Sequence, residues 1–163
     1  MTQAMDRVAF TNSRDAEVIG GSGAPWAAHL LIDASQTGGA LSTVEVRLTD
    51  GADGAGPHYH TRSHELFYVT EGELQVLTDE EIRTVGAGSA LVVPKHTVHA
   101  FGAVPGSAVR FLITLTPGVE RFDYFRLLGR IERGEATRQE IIDTQDVHDN
   151  YFVDSPTWRA ARR

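Results

Sequence analysis

The chain of 163 residues contains no cysteine. That excludes disulfides and thiolate coordination, and confines any metal site to nitrogen and oxygen ligands. Lysine is almost missing too: Lys95 is the only one, and the remaining cations are arginines that form no basic cluster. With a formal net charge of -7, the chain offers no patch for nucleic acid or for an anionic membrane surface, since both require clustered Lys/Arg. No apolar run is long enough to span a bilayer, and the opening MTQAMDRVAF has no apolar secretion-signal core. A cytoplasmic protein is the expectation. What the chain does have is length: 163 residues suit one domain, and a domain this size buries about 70% of the surface that it exposes unfolded.

Turn residues punctuate the chain at short intervals. The stretch up to GGSGAP (20–25) is mixed in character and reads as an arm, followed by a short strand at His29–Ile32. Leu41–Leu48 alternates, with Ser42, Val44, Val46 and Leu48 on one face and Thr43, Glu45 and Arg47 on the other. Further strands are predicted at 65–70, 73–77, 81–85, 89–93, 97–101 and 108–116, with turns at Glu71-Gly72, at 86–88 and at Pro105-Gly106. Short strands with regular punctuation indicate an all-β fold, a small β-barrel or jelly roll. After Pro117 the period changes. Val119, Phe122, Phe125 and Leu128 recur at helical spacing with Gly129 as the expected stop, and Thr137 with Glu140 marks the N-terminus of a second helix. The tail from Val147 reads as irregular, with Tyr151, Phe152 and Trp158 as packing residues. The resulting division is a single domain, 1–163: an N-terminal arm and strand (1–37), a barrel (38–116), and a C-terminal helical extension (117–163) that either lies against the barrel mouth as a lid or packs on the outer sheet, packing being the expectation.

The segment His58–Gly72, HYHTRSHELFYVTEG, carries the chemistry. Side chains at i and i+2 of a strand share a face, so His58 and His60 can hold one ion from the same side. Glu65 can add a carboxylate oxygen, and His99 stands at the end of a second apolar run. Three imidazoles and one carboxylate suit one divalent first-row metal; Mn, Fe, Co, Ni, Cu and Zn all accept such ligands. Two histidines alone fit an ordinary wet strand equally well. If the four ligands point inward, parity places Phe67, Val69, Thr97 and Phe101 on their face as an apolar substrate pocket. His64, Leu66 and Tyr68 then point outward, and the outward apolar pair calls for cover by a second subunit, so a homodimer is expected.

These residues resemble the paired motifs of the cupin superfamily, G-x5-H-x-H-x4-E-x6-G and G-x5-P-x-G-x2-H-x3-N. His58, His60, Glu65 and Gly72 match the first, and Gly88, Pro94 and His99 the second; Ala52 departs from the first, and His96 and Ala103 from the second, without removing a ligand. The run H-x-H-x4-E-x-F-Y-V-x-x-G and the segment PGVERFDYFRLLG are similar to single-domain cupins of the quercetin 2,3-dioxygenase type. The resemblance implies a metal-dependent dioxygenase for an enolisable aromatic small molecule, with dioxygen as co-substrate and Glu65 as both ligand and catalytic base. Two other functions share the ligand set: a metal-assisted isomerase, cyclase or lyase, and a non-enzymatic ligand-binding module. A storage role fits poorly, because each motif occurs once.

Overall fold

A computed structural model describes residues 8–163, so residues 1–7 of the expected arm lie outside the described residues. The rest of that arm is not free. Glu17–Gly20 forms strand β1, antiparallel to β2 (Trp26–Ile32), and the GGSGAP cluster turns between them. A single 3-10 turn, Ala34–Thr37, begins at Asp33 and leads to β3 (Ser42–Leu48). In β3 the residues Ser42, Val44, Val46 and Leu48 are buried and the intervening ones half-buried, as period-two alternation requires of a strand with one wet face.

Strand β4 (His58–Tyr59) is followed by β5, which runs without a break from His64 to Thr78. The turn expected at Glu71-Gly72 is a β-bulge between Val69 and Glu71. Gly72 has φ 74°, and a Cβ there would stand 1.9 Å from the Ala108 carbonyl oxygen. The glycine marks a close crossing of two backbones, and the strand bends without ending. Strands β6 (Glu81–Gly86), β7 (Ala90–Val93), β8 (His99–Ala103) and β9 (Val109–Thr116) complete the region read as the barrel. β8 starts two residues later than expected because Thr97 belongs to the preceding turn, where its N–H donates to the Pro94 carbonyl.

The bend lets β5 serve two sheets. Its first half pairs with β7 and β9, and its second half with β6 and β8. One sheet therefore runs β1-β2-β3-β9-β5-β7, and the other β6-β5-β8-β4, with β10 (Tyr151–Phe152) on the edge; the ladder does not close on itself. Phe67, Val69 and Phe111 are fully buried between the sheets, with Phe101 edge-on to both phenylalanines at 5.4 Å. Each such side chain contributes about 1.5–3 kcal/mol by burial.

Four helices follow: α1 (Phe122–Glu132), α2 (Arg138–Asp143), α3 (Gln145–His148) and α4 (Pro156–Ala161). The Thr137 N–H donates to the Glu140 carboxylate, as the capping pattern predicts. Gly129 does not stop α1; it lies buried inside the helix, against Ile19 of β1. The tail is ordered rather than irregular, because β10 pairs with β4 and Trp158 packs on Leu77 and Ala100. Among the described residues no helix is long and apolar enough to cross a membrane. On the outer face of the first sheet, Tyr68 and Val92 are 40% and 54% exposed beside half-buried Leu66.

Candidate metal centre

Antiparallel pairing places His58 directly opposite His99, and β5 runs along the other side of β8. This register gathers the four expected ligands. One ligand atom from each of His58, His60, Glu65 and His99 lies within 4.8 Å of the others, and all four residues are buried.

The rings are held from behind. His58 Nδ1 faces the Gly56 carbonyl at 2.7 Å, His60 Nδ1 faces that of Asp149 at 2.5 Å, and His99 Nδ1 faces that of Thr97 at 2.9 Å. A carbonyl oxygen only accepts, so each Nδ1 carries the ring proton and each Nε2 is turned inward. Glu65 Oε2 lies 3.0 Å from His60 Nε2 and 2.5 Å from His99 Nε2. Those contacts require positive charge between them, either as a second ring proton or as a metal ion. Burial, and then the neighbouring His99 and His60, hold His58 well below the ordinary imidazole range, so the site keeps a neutral ring beside a carboxylate. Burial by itself raises the Glu65 carboxyl, but the attraction of His99 and His60 outweighs it and keeps the group ionised. Three rings fixed through Nδ1, with Nε2 converging on a carboxylate, are the donor set that a divalent metal takes, the ion supplying the positive charge that the Glu65 contacts call for.

Asp149 is the residue that sequence reasoning missed. Its carbonyl orients His60, while its carboxylate accepts from Thr61 N at 2.8 Å, Thr61 Oγ1 at 2.6 Å and Arg62 N at 2.9 Å. Burial pushes its carboxyl up, yet these hydrogen bonds prevail and hold it below the usual range. Asp149 has φ 52°, a conformation that Asp tolerates, but nothing in the tail's sequence locates it beside His60. His96 has φ 68°, so it supplies the left-handed turn that the motif's glycine would otherwise make. His64 points outward and is exposed.

A cavity of about 350 Å³ opens onto His58 and Glu65. Val46, Leu48, Phe101 and Ile113 of the strands wall one side, and Tyr124, Phe125, Leu128 and Ile141 of α1 and α2 the other. The helical extension thus forms part of the cavity, where packing on the outer sheet was expected. Of the predicted pocket residues, Phe101 lines this space. Phe67 and Val69 share the inward face but lie sealed in the core between the sheets, and Thr97, in its turn, orients His99 through its carbonyl. Phe152, expected only to pack, lines the cavity with its ring 6.2 Å from that of His58. Arg121 and Asn150 are the buried polar side chains of the wall beyond the ligand cluster.

Residues 44–115 match the family model described as a cupin domain. Among solved structures, KdgF from Halomonas sp. is similar at 24% identity and a TM-score of 0.56, covering 68% of this chain and 94% of that one. The polyketide cyclase RemF from Streptomyces resistomycificus is similar at 21% identity and a TM-score of 0.56, over 68% of this chain and 80% of its own. An RmlC-like cupin from Shewanella frigidimarina aligns at 22% identity and a TM-score of 0.54, over 76% and 99%. No curated protein matches the chain in sequence. With its two-motif ligand cluster seated in the sheets that these structures share, the chain has the cupin fold, and its residues 44–115 are similar to the cupin-domain model.

Proposed function

We propose that this chain is a metal-dependent enzyme acting on an enolisable aromatic small molecule, with oxidative cleavage by dioxygen as its reaction. One observation carries the reading: the four-donor cluster meets, through His58 and Glu65, an apolar cavity with room for a small organic molecule. A divalent ion held by His58, His60, His99 and Glu65 supplies Lewis-acid polarisation of an enolate or phenolate oxygen. Glu65 also lines the cavity, so a carboxylate oxygen released from the ligand cluster is placed to accept the substrate's hydroxyl proton. Phe101, Phe125 and Phe152 give the substrate plane apolar surfaces and keep water out.

A second reading, a non-oxidative isomerase, cyclase or lyase, is favoured by the polar groups Arg121, Tyr124 and Asn150 in the cavity wall. The fold is also that of the polyketide cyclase RemF. Elemental analysis of the purified protein, followed by oxygen uptake with a panel of flavonols and other enolisable aromatics, tests both. Metal-dependent oxygen consumption with product is the expected result. Product formed equally well without oxygen selects the second reading, and a metal-loaded protein that turns over nothing in either atmosphere overturns both in favour of a binding module.

A further inference from the structure

We propose that Arg121 and Asn150 form a carboxylate-binding subsite in the cavity wall, so that the substrate is a small, largely apolar carboxylic acid. The inference rests on the reading of this cavity as the substrate site. Arg121 is 7% exposed, and its guanidinium lies over the Tyr124 ring at 4.1 Å while Nη1 donates to the His148 carbonyl at 3.1 Å. Among the described residues no carboxylate comes within ion-pair distance of that guanidinium. Asp33, which approaches the same backbone, spends its oxygens on the N–H groups of Ala34, Arg121 and Phe122. A buried cation without a counter-ion is costly, and the cost is met when an anion arrives.

Asn150 is the independent second observation. It is 1% exposed, it lines the same cavity, and both Oδ1 and Nδ2 lack a hydrogen-bond partner. Buried side-chain amides are normally satisfied, so the unpartnered amide of a residue in the cavity wall is a group that a ligand would satisfy. The two residues are tied together, since the carbonyl that Arg121 holds belongs to His148, two positions before Asn150. The contacts with His148 and Tyr124 engage only part of the Arg121 guanidinium. The remaining fork and the Asn150 amide are donors suited to a planar monoanion. One buried cation in apolar surroundings matches a carboxylate better than a phosphate dianion, because beyond the ligand cluster the other charged residues of the wall, Asp53, Glu132 and Arg138, are exposed and bring no further net positive charge.

Calorimetric titration with benzoate and with its neutral near-isostere benzamide, on metal-loaded and on chelator-treated protein, tests this. Benzoate should bind the wild type at least about tenfold more tightly than benzamide in both forms, and Arg121→Gln should abolish the preference. Asn150→Ala should weaken benzoate about three- to tenfold. Arg121→Lys, which keeps the charge and loses the fork, should bind with intermediate strength, and circular dichroism of each variant separates a lost site from a lost fold. Equal affinity for the two probes in the wild type overturns the proposal even if no variant folds. So does benzoate binding that disappears with the metal and ignores Arg121→Gln, because the carboxylate then sits on the ion. Arg121-dependent binding by a protein that loads no metal keeps the subsite and refutes the metal-dependent enzyme.

Discussion

The main-chain carbonyl of Asp149 meets Nδ1 of His60 at 2.5 Å, although 89 positions separate them in the chain. The Asp149 side chain holds the loop that follows His60, so one residue fixes both the ring and its backbone. Asp149→Ala leaves the part-buried N–H groups of Thr61 and Arg62 without their acceptor, at a cost of about 1–2 kcal/mol. The carbonyl that orients His60 belongs to the main chain and stays, so metal affinity should fall only as far as the loosened 60–62 loop lets that contact shift, by about tenfold. Competition with a calibrated chelator and urea unfolding measure the two effects separately. Unchanged metal affinity in a folded variant would show that His60 is oriented by its strand alone.

The same carboxylate predicts the acid limb of stability. Its folded pKa lies below the usual value, so the group stabilises the protein above the unfolded pKa of about 4 and that contribution disappears as pH falls through the folded value. Urea midpoints should therefore decline below about pH 4 in the wild type. In Asp149→Asn the decline should be shallower from a lower starting point, since the amide does not titrate. Parallel wild-type and variant curves over this range would assign acid unfolding to other carboxylates.

The ligands were legible because their evidence is local. Period-two spacing puts His60 on the face of His58 just past the end of β4, and the spacing to Glu65 crosses a single loop. His99 needed the second motif, and β8 supplies it at the register opposite His58. What escaped is long-range or depends on crowding. Gly72 and Gly129 look like terminators, and each is instead a point where another chain segment passes too close for a side chain. The tail's role was hidden for the same reason: β10 is two residues long and its partner is β4, while Asp149, Asn150 and Phe152 acquire meaning only from what that pairing brings beside them.

Metal should stabilise the fold by mass action. A divalent ion at about a hundred times its dissociation constant adds about 2.7 kcal/mol if it binds only the folded state. Glu65→Ala and His99→Ala should each lose metal, and the His58→Ala, His60→Ala double variant should lose both the ion and the thermal shift. Elemental analysis beside thermal melts reads this directly; full occupancy in the double variant would sink the ligand assignment.

The outer face of the first sheet leads to an expected assembly. Leu66 pairs with Val92 and Tyr68 with Ala90 across β5 and β7, which leaves adjoining apolar side chains on an exposed surface. A second copy covering this face would remove them from water. Light scattering should then show a dimer for the wild type and a monomer for the Tyr68→Glu, Val92→Glu double variant with metal content unchanged. A wild-type monomer at all concentrations removes the homodimer.

Gly129→Ala separates helix propensity from packing. In an exposed helix the substitution is favourable by about 1 kcal/mol. Here the new Cβ would stand 2.6 Å from Ile19 Cγ2, and Ile19 belongs to β1, which α1 covers. Overpacking at such a contact costs about 1–3 kcal/mol, so the net effect should be destabilising by about 1 kcal/mol or more. Ile19→Ala removes the clashing methyl, and in that background Gly129→Ala should become neutral or stabilising. A double-mutant cycle by urea unfolding gives the coupling. Additive effects would mean that α1 shifts away from β1 without cost, and that the glycine is not what sets their separation.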